Sequence, residues 1–198
     1  MSRIVAIYGS PRKGGNSALL TDQAVEGARE AGAIVEKVAL RDLNISPCLE
    51  IYGCKKDGRC VIKDDFQGLY DQCLAADAMI LSSPIFFYTV SAHTKIMMDR
   101  FQSLWVKKYW IDQVKFGQWT PKRKGLFISV GATHGKKLFE GVLLTVRYFM
   151  DVLDMELSQS LLYRGLDLKG DVQEHPEYLQ EAREAGAALA AGLNELKS

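Results

Sequence analysis

Gly9-Ser10-Pro11-Arg12-Lys13-Gly14-Gly15-Asn16-Ser17 stands between the apolar run Ile4-Val5-Ala6-Ile7-Tyr8 and a segment with helical periodicity. A glycine-rich turn at such a junction aims backbone N–H groups and the positive end of a helix at one place, which suits a phosphate. A nucleoside triphosphate would require GxxxxGK[ST]. Gly9 and Gly14 have that separation, but Gly15 stands where the lysine belongs and Asn16 where the magnesium-binding hydroxyl belongs. Pro11 breaks the alternative GxGxxG pattern of dinucleotide loops. What remains is a set of backbone, hydroxyl and amide donors beside Arg12, suited to one terminal phosphate without a metal ion. The same residues also read as a tight turn with Asn16 or Ser17 capping the helix.

Two further segments carry chemistry. Ser82-Ser83-Pro84-Ile85-Phe86-Phe87-Tyr88-Thr89 sets three consecutive aromatics in a loop. Aromatic rings there either stack on a flat partner or cover a sheet edge. Ser129-Val130-Gly131-Ala132-Thr133-His134-Gly135 is rich in small residues, which let backbone N–H groups approach a ligand and stabilise negative charge developing on it. One terminal phosphate and one flat ring together describe FMN. His134 is a weak candidate for proton delivery, its alternative being a hydrogen-bonding surface residue.

The elements that must position these loops follow from hydrophobic patterning. Arg3 to Gly9, Asp77 to Ser83 and Lys124 to Gly131 are short apolar runs ended by Gly, Ser or Pro, as buried strands are. Ala33 to Leu40 alternates as an edge strand does, and Met155 to Leu162 is a fifth, weaker candidate. Helical periodicity runs through Asn16 to Ala31, Asp64 to Ala75, Thr89 to Val106, Lys136 to Val152 and Glu177 to Leu196. Alternating strands and helices build parallel β-α-β units with right-handed crossovers. The expected fold is therefore α/β, a doubly wound, five-stranded parallel sheet forming one domain over residues 1–198; a first loop suited to FMN resembles that of flavodoxin-like proteins, which implies the order 2-1-3-4-5. In that order the three loops share one sheet edge, with the ligand at the carboxyl ends of the first and third strands. The irregular segments Arg41 to Lys63 and Lys107 to Arg123 read as insertions at the rim.

Composition narrows the partners. Lys and Arg exceed Asp and Glu by one charge, and the signs are mixed along the chain, which argues against nucleic acid or an anionic membrane. The basic run Pro121-Lys122-Arg123-Lys124 reads as a solvated loop. No apolar run reaches ~18 residues and no stretch reads as a signal peptide, so a cytoplasmic location is expected. Cys48, Cys54, Cys60 and Cys73 do not suggest a disulfide scaffold in reducing surroundings.

Together these residues resemble the NADPH-dependent FMN reductase family of flavodoxin-like proteins, within it the branch of iron–sulfur flavoproteins. The resemblance is carried by Gly9 to Ser17, by Ser83-Pro84-Ile85-Phe86-Phe87, by Ala92-His93-Thr94-Lys95 leading to Met98-Asp99-Arg100, and by Cys54 to Cys60. It implies that Ser10, Arg12, Asn16 and Ser17 hold the FMN phosphate and Pro84, Ile85, Phe86 and Phe87 the ring. Ser129, Gly131, Ala132 and Thr133 would face the pyrimidine edge. It further implies electron transfer from NAD(P)H through FMN to a flavin, quinone or similar small-molecule acceptor, a homodimer or homotetramer, and a possible redox partner protein. The alternative is a flavodoxin-like or iron–sulfur-flavoprotein-like electron carrier served by such a partner. Iron–sulfur flavoproteins look like CxxCxxC followed by another cysteine, whereas here Ile51 stands at the middle ligand between Cys48 and Cys54. A cluster on Cys48, Cys54 and Cys60 is therefore not expected, and Cys73 reads as a small buried hydrophobe.

Overall fold

A computed structural model describes residues 1–115 and 123–195 of the chain. The apolar runs form β1 (Arg3–Tyr8), β2 (Ile34–Ala39), β3 (Ala78–Pro84), β4 (Arg123–Gly131) and β5 (Met155–Arg164). They pair in parallel throughout, in the order β2-β1-β3-β4-β5. This is the flavodoxin-like doubly wound sheet. The inner strands β1, β3 and β4 are buried almost end to end, as continuous apolar runs require, while the edge strands β2 and β5 alternate.

Because successive strand side chains point to opposite faces, β1 feeds two cores. Ile4, Ala6 and Tyr8 pack beneath α1 (Asn16–Glu30) and α6 (Pro176–Glu195). Val5 and Ile7 pack on the other face against α2 (Phe66–Ala75), α3 (Ala92–Arg100) and α5 (Glu140–Val152). Among the described residues no helix is long and apolar enough to cross a membrane.

Two expectations change. The helix expected over Thr89 to Val106 starts at Ala92, because Phe86 and Thr89 exchange backbone hydrogen bonds of 3.0 Å across a tight turn. Ser91 then caps α3, its hydroxyl accepting from the Thr94 N–H at 3.3 Å. The chain leaves α-helical geometry at Phe101, resumes in α4 (Gln102–Val106) and ends in a π-helical turn over Lys107–Ile111. Arg123 is no solvated loop residue either. It opens β4 and donates to the carbonyls of Cys73, Leu74 and Ala76 at the end of α2, where a cation complements the helix dipole. Pro121, Lys122, Trp119 and Leu196 lie outside the described residues.

Candidate functional site

The three loops meet at the carboxyl edge of the sheet. The first is fixed to the third strand by a 2.8 Å hydrogen bond from the Gly9 N–H to the Ser82 carbonyl. A Cβ at Gly9 would lie 2.0 Å from Thr94 Oγ1, so only glycine lets this loop pass the start of α3. Gly14 has φ +64, the left-handed turn that swings the chain into α1. The Gly15 carbonyl then accepts from Ala18 and Leu19, so α1 begins with the backbone N–H groups of Asn16 and Ser17 lacking the i−4 carbonyls that later turns have. These donors and the positive helix end face a cleft of about 260 Å³.

Ser10, Arg12, Asn16, Ser17, Pro84, Ile85, Phe86, Gly131 and Ala132 all line that cleft. Phe87, Ser129 and Thr133 do not. Phe87 is 98% exposed and points away from the protein. Ser129 is fully buried between the strands, its hydroxyl donating to the Ser83 carbonyl at 2.8 Å. Thr133 and His134 are exposed beyond the cleft. The His134 ring sits over Gly165, where a Cβ would come within 2.6 Å of it.

A fourth wall, the segment after β5, has no counterpart in the sequence reading. Leu166 and Asp167 line the cleft, and Asn16 is the reason they are there. Its side-chain amide donates to the Leu168 carbonyl at 2.8 Å, and its oxygen accepts from the N–H groups of Gly170 (3.0 Å) and Val172 (3.4 Å). Asn16 therefore offers a ligand its backbone N–H, while its side chain pins this wall. Arg12 also reaches the segment, donating to the Asp167 carbonyl at 3.3 Å. Lys169 packs beside Gly14, adding a second cation next to the first loop. The available signal was the pair Gly165 and Gly170, both at positive φ and bracketing the segment. A wider groove of about 910 Å³ opens between α1 and α2, walled by residues of both charges such as Lys37, Asp22, Arg41 and Asp65.

On the far side of α3, Cys48, Cys54 and Cys60 line one pocket of about 540 Å³ together with Ile51, Trp105 and Trp110. Arg100 closes its floor. Rather than pairing with Asp99, which binds Lys95 on the helix surface at 2.6 Å, Arg100 is buried against Asp64. Its guanidinium donates to both Asp64 oxygens at 2.6 and 3.1 Å, to the Ser46 carbonyl at 2.8 Å and to Cys60 Sγ at 3.2 Å. Burial alone would raise the Asp64 carboxyl, but the hydrogen bonds from Arg100 and the Ser46 N–H prevail and hold it below its ordinary range. Burial raises the Cys54 thiol, with Cys60 and Cys48 close enough to add to the effect. Cys73 lies apart inside the core, where burial pushes its thiol up to about 12. No group of three or more His, Cys, Asp or Glu among the described residues is arranged to hold a metal ion.

A flavodoxin-like sheet with an anion-seeking helix start and an apolar wall at its topological switch point defines the class: a mononucleotide-binding α/β protein. Within that class, the sequence profile of the NADPH-dependent FMN reductase family matches residues 2–162, and the chain belongs to that family. An iron-sulfur flavoprotein of Methanocaldococcus jannaschii is 38% identical over 102 residues, 52% of this chain and 53% of that protein. One of Methanosarcina thermophila is 34% identical over 98 residues, 50% of this chain and 51% of that protein. The chain thus matches about half the length of these relatives. Among solved structures, a flavone reductase superposes with a TM-score of 0.73 at 19% identity, over 98% of this chain and 64% of the other. An NAD(P)H:quinone oxidoreductase from Methanothermobacter marburgensis superposes with a TM-score of 0.67 at 18% identity, over 95% and 96%.

Proposed function

We propose that this protein is an oxidoreductase that takes electrons from NAD(P)H and passes them through FMN to a flavin, quinone or similar acceptor. The observation that carries the reading is the mixed lining of the cleft. The first loop and the start of α1 bring Ser10, Arg12, Asn16 and Ser17 to it, and the loop after β3 brings Pro84, Ile85 and Phe86. That donor set fits FMN, with its phosphate at the helix start and its ring against the apolar wall. When bound, FMN supplies the redox chemistry, so no acid–base pair from the chain is required.

The chain's own part is placement. Pro84 ends β3 paired with Val130, which fixes the apolar wall to the sheet rather than to a mobile loop. The Ile85 N–H donates to the Val130 carbonyl at 2.9 Å and keeps the second and third loops in register. The backbone at Gly131 and Ala132 is the part of the third loop available to a pyrimidine edge. On this reading Ser129 acts by holding β4 to Ser83, and Phe87 acts outside the cleft, in contact between subunits of a homodimer or homotetramer.

The test is an absorbance titration of the purified protein with FMN, followed by NADPH under exclusion of air. Stoichiometric flavin that bleaches with NADPH supports the reading. Bound flavin that NADPH leaves oxidised points instead to an electron carrier served by a partner protein, and failure to bind FMN refutes the site. Phe86→Ala should weaken FMN retention by about threefold to tenfold, the worth of one aromatic contact.

A further inference from the structure

The names of the relatives carry an iron–sulfur group, and the pocket behind α3 is where this chain would hold one. A [4Fe–4S] cluster takes about four cysteine thiolates. The pocket supplies three, from Cys48, Cys54 and Cys60. The remaining cysteine, Cys73, is fully buried on the inner face of α2 and does not line the pocket. Two carboxylates, Glu50 and Asp99, also line the pocket, but neither is a thiolate, and Asp99 already binds Lys95 at 2.6 Å. The donor set therefore does not fit a four-thiolate cluster.

The shortfall sits at one residue. Ile51 lines the same pocket and is 59% exposed, so it is not a core residue whose size the fold needs. Glu50 and Tyr52 on either side of it have φ 50 and φ 59, left-handed geometry that a side-chain-bearing residue adopts at a cost. Two such residues, one on each side of Ile51, bend the chain where position 51 meets the pocket. The rim is braced from outside by Lys55, whose ammonium lies 4.2 Å from the Tyr52 ring and 5.1 Å from the Trp110 ring. The floor is braced by Arg100 bonding Cys60 Sγ. Three thiols and position 51 thus line one pocket without forming a metal centre among the described residues.

We infer that this chain is a flavoprotein without a [4Fe–4S] cluster, that position 51 is where its pocket lacks a fourth thiolate, and that Ile51→Cys supplies it. The inference rests on family membership and deepens the proposed function, since a chain without a cluster must load its flavin from a small-molecule donor or an external carrier. The experiment is anaerobic reconstitution of the FMN-loaded protein with ferrous iron and sulfide, measuring iron, acid-labile sulfide and flavin on each sample. The wild type should retain well under one iron per chain, Ile51→Cys should rise toward about four irons with matching sulfide, and Ile51→Ser should stay with the wild type. About four irons and matching sulfide in the wild type would overturn the inference without reference to any variant. So would Ile51→Cys holding normal flavin but no more iron than Ile51→Ser. Because flavin content and bleaching by NADPH are read on the same samples, a failure of the reductase reading shows separately from a failure of this one.

Discussion

At the scale of single residues, Arg100 is the clearest case of a side chain whose role its neighbours in sequence conceal. Beside Asp99 it reads in the sequence as half of a helix-face charge pair at a subunit interface rather than of a catalytic dyad, yet it is 1% exposed and carries the loop from Ser46 to Asp64 on its guanidinium. Removing one partner from such a pair leaves the other charge buried and alone, which costs about 3–5 kcal/mol. Arg100→Met should therefore lower unfolding stability by about that amount in urea melts at neutral pH. The pH dependence has a defined sign. A carboxyl held low in the folded state contributes stability that is complete above its ordinary value of 3.8 and is lost as pH falls through the folded value. The deficit of Arg100→Met should narrow as pH drops below that value, and a constant deficit would show that Asp64 is not the charge left stranded. The thiols divide in the same local way. Cys48, Cys54 and Cys60 are half-buried and should react with a thiol reagent in the native protein, whereas Cys73 should react only on unfolding. Four reactive thiols in the folded chain would contradict its placement in the core.

At the scale of elements, the contact of α1 with α6 is made by backbone rather than by large side chains. A Cβ on Gly27 would lie 1.9 Å from the Arg183 carbonyl oxygen, and one on Gly186 would lie 1.9 Å from the Ala24 carbonyl oxygen. Each helix places a glycine against the other's main chain. A backbone atom cannot rotate away as a side chain can, so Gly27→Ala and Gly186→Ala must push the helices apart. Each should cost about 1–3 kcal/mol or more despite the better helix propensity of alanine, read as a fall in Tm, and a rise in Tm would disprove the close approach. The periodicity of α6 is legible in Leu179, Ala182, Gly186, Leu189, Leu193 and Leu196; of these, Ala182, Gly186, Leu189 and Leu193 are buried, Leu179 is partly buried against them, and Leu196 lies outside the described residues. The depth to which α6 approaches α1 is not legible in them, because a sequence pattern gives a direction and no distance.

At the scale of the whole molecule, one group of exposed apolar residues gathers around α5. The turn holding Phe87 and Tyr88 rests on α5, with the Tyr88 carbonyl over Gly141 and Thr89 Oγ1 3.4 Å from Thr145 Oγ1. Leu144 and Tyr148 of the same helix are 59% and 67% exposed. Phe87 and Tyr88 both have left-handed backbone, so the chain bears a cost to hold Phe87 outward. If this face joins subunits, Phe87→Asp should shift the protein toward monomer in sedimentation velocity and leave the monomer folded. An unchanged assembly would place the interface elsewhere.

The sequence by itself determined the sheet. Which runs were continuously apolar and which alternated separated inner strands from edges, since that pattern reports burial on two faces or one, while the full order came with the flavodoxin-like reading of the first loop. It also determined that the three loops share an edge, because parallel strands send every following loop to the same end. Only the tertiary structure decided which atoms within those loops face the cleft. Asn16 turned its amide to residues 168, 170 and 172, Ser129 turned inward to Ser83, and Leu166 and Asp167 came in from more than a hundred residues away along the chain. Local pattern encodes a strand's period because neighbours along the chain set it. It does not encode which distant carbonyl will claim a side-chain amide, because that partner is supplied only once the chain has folded.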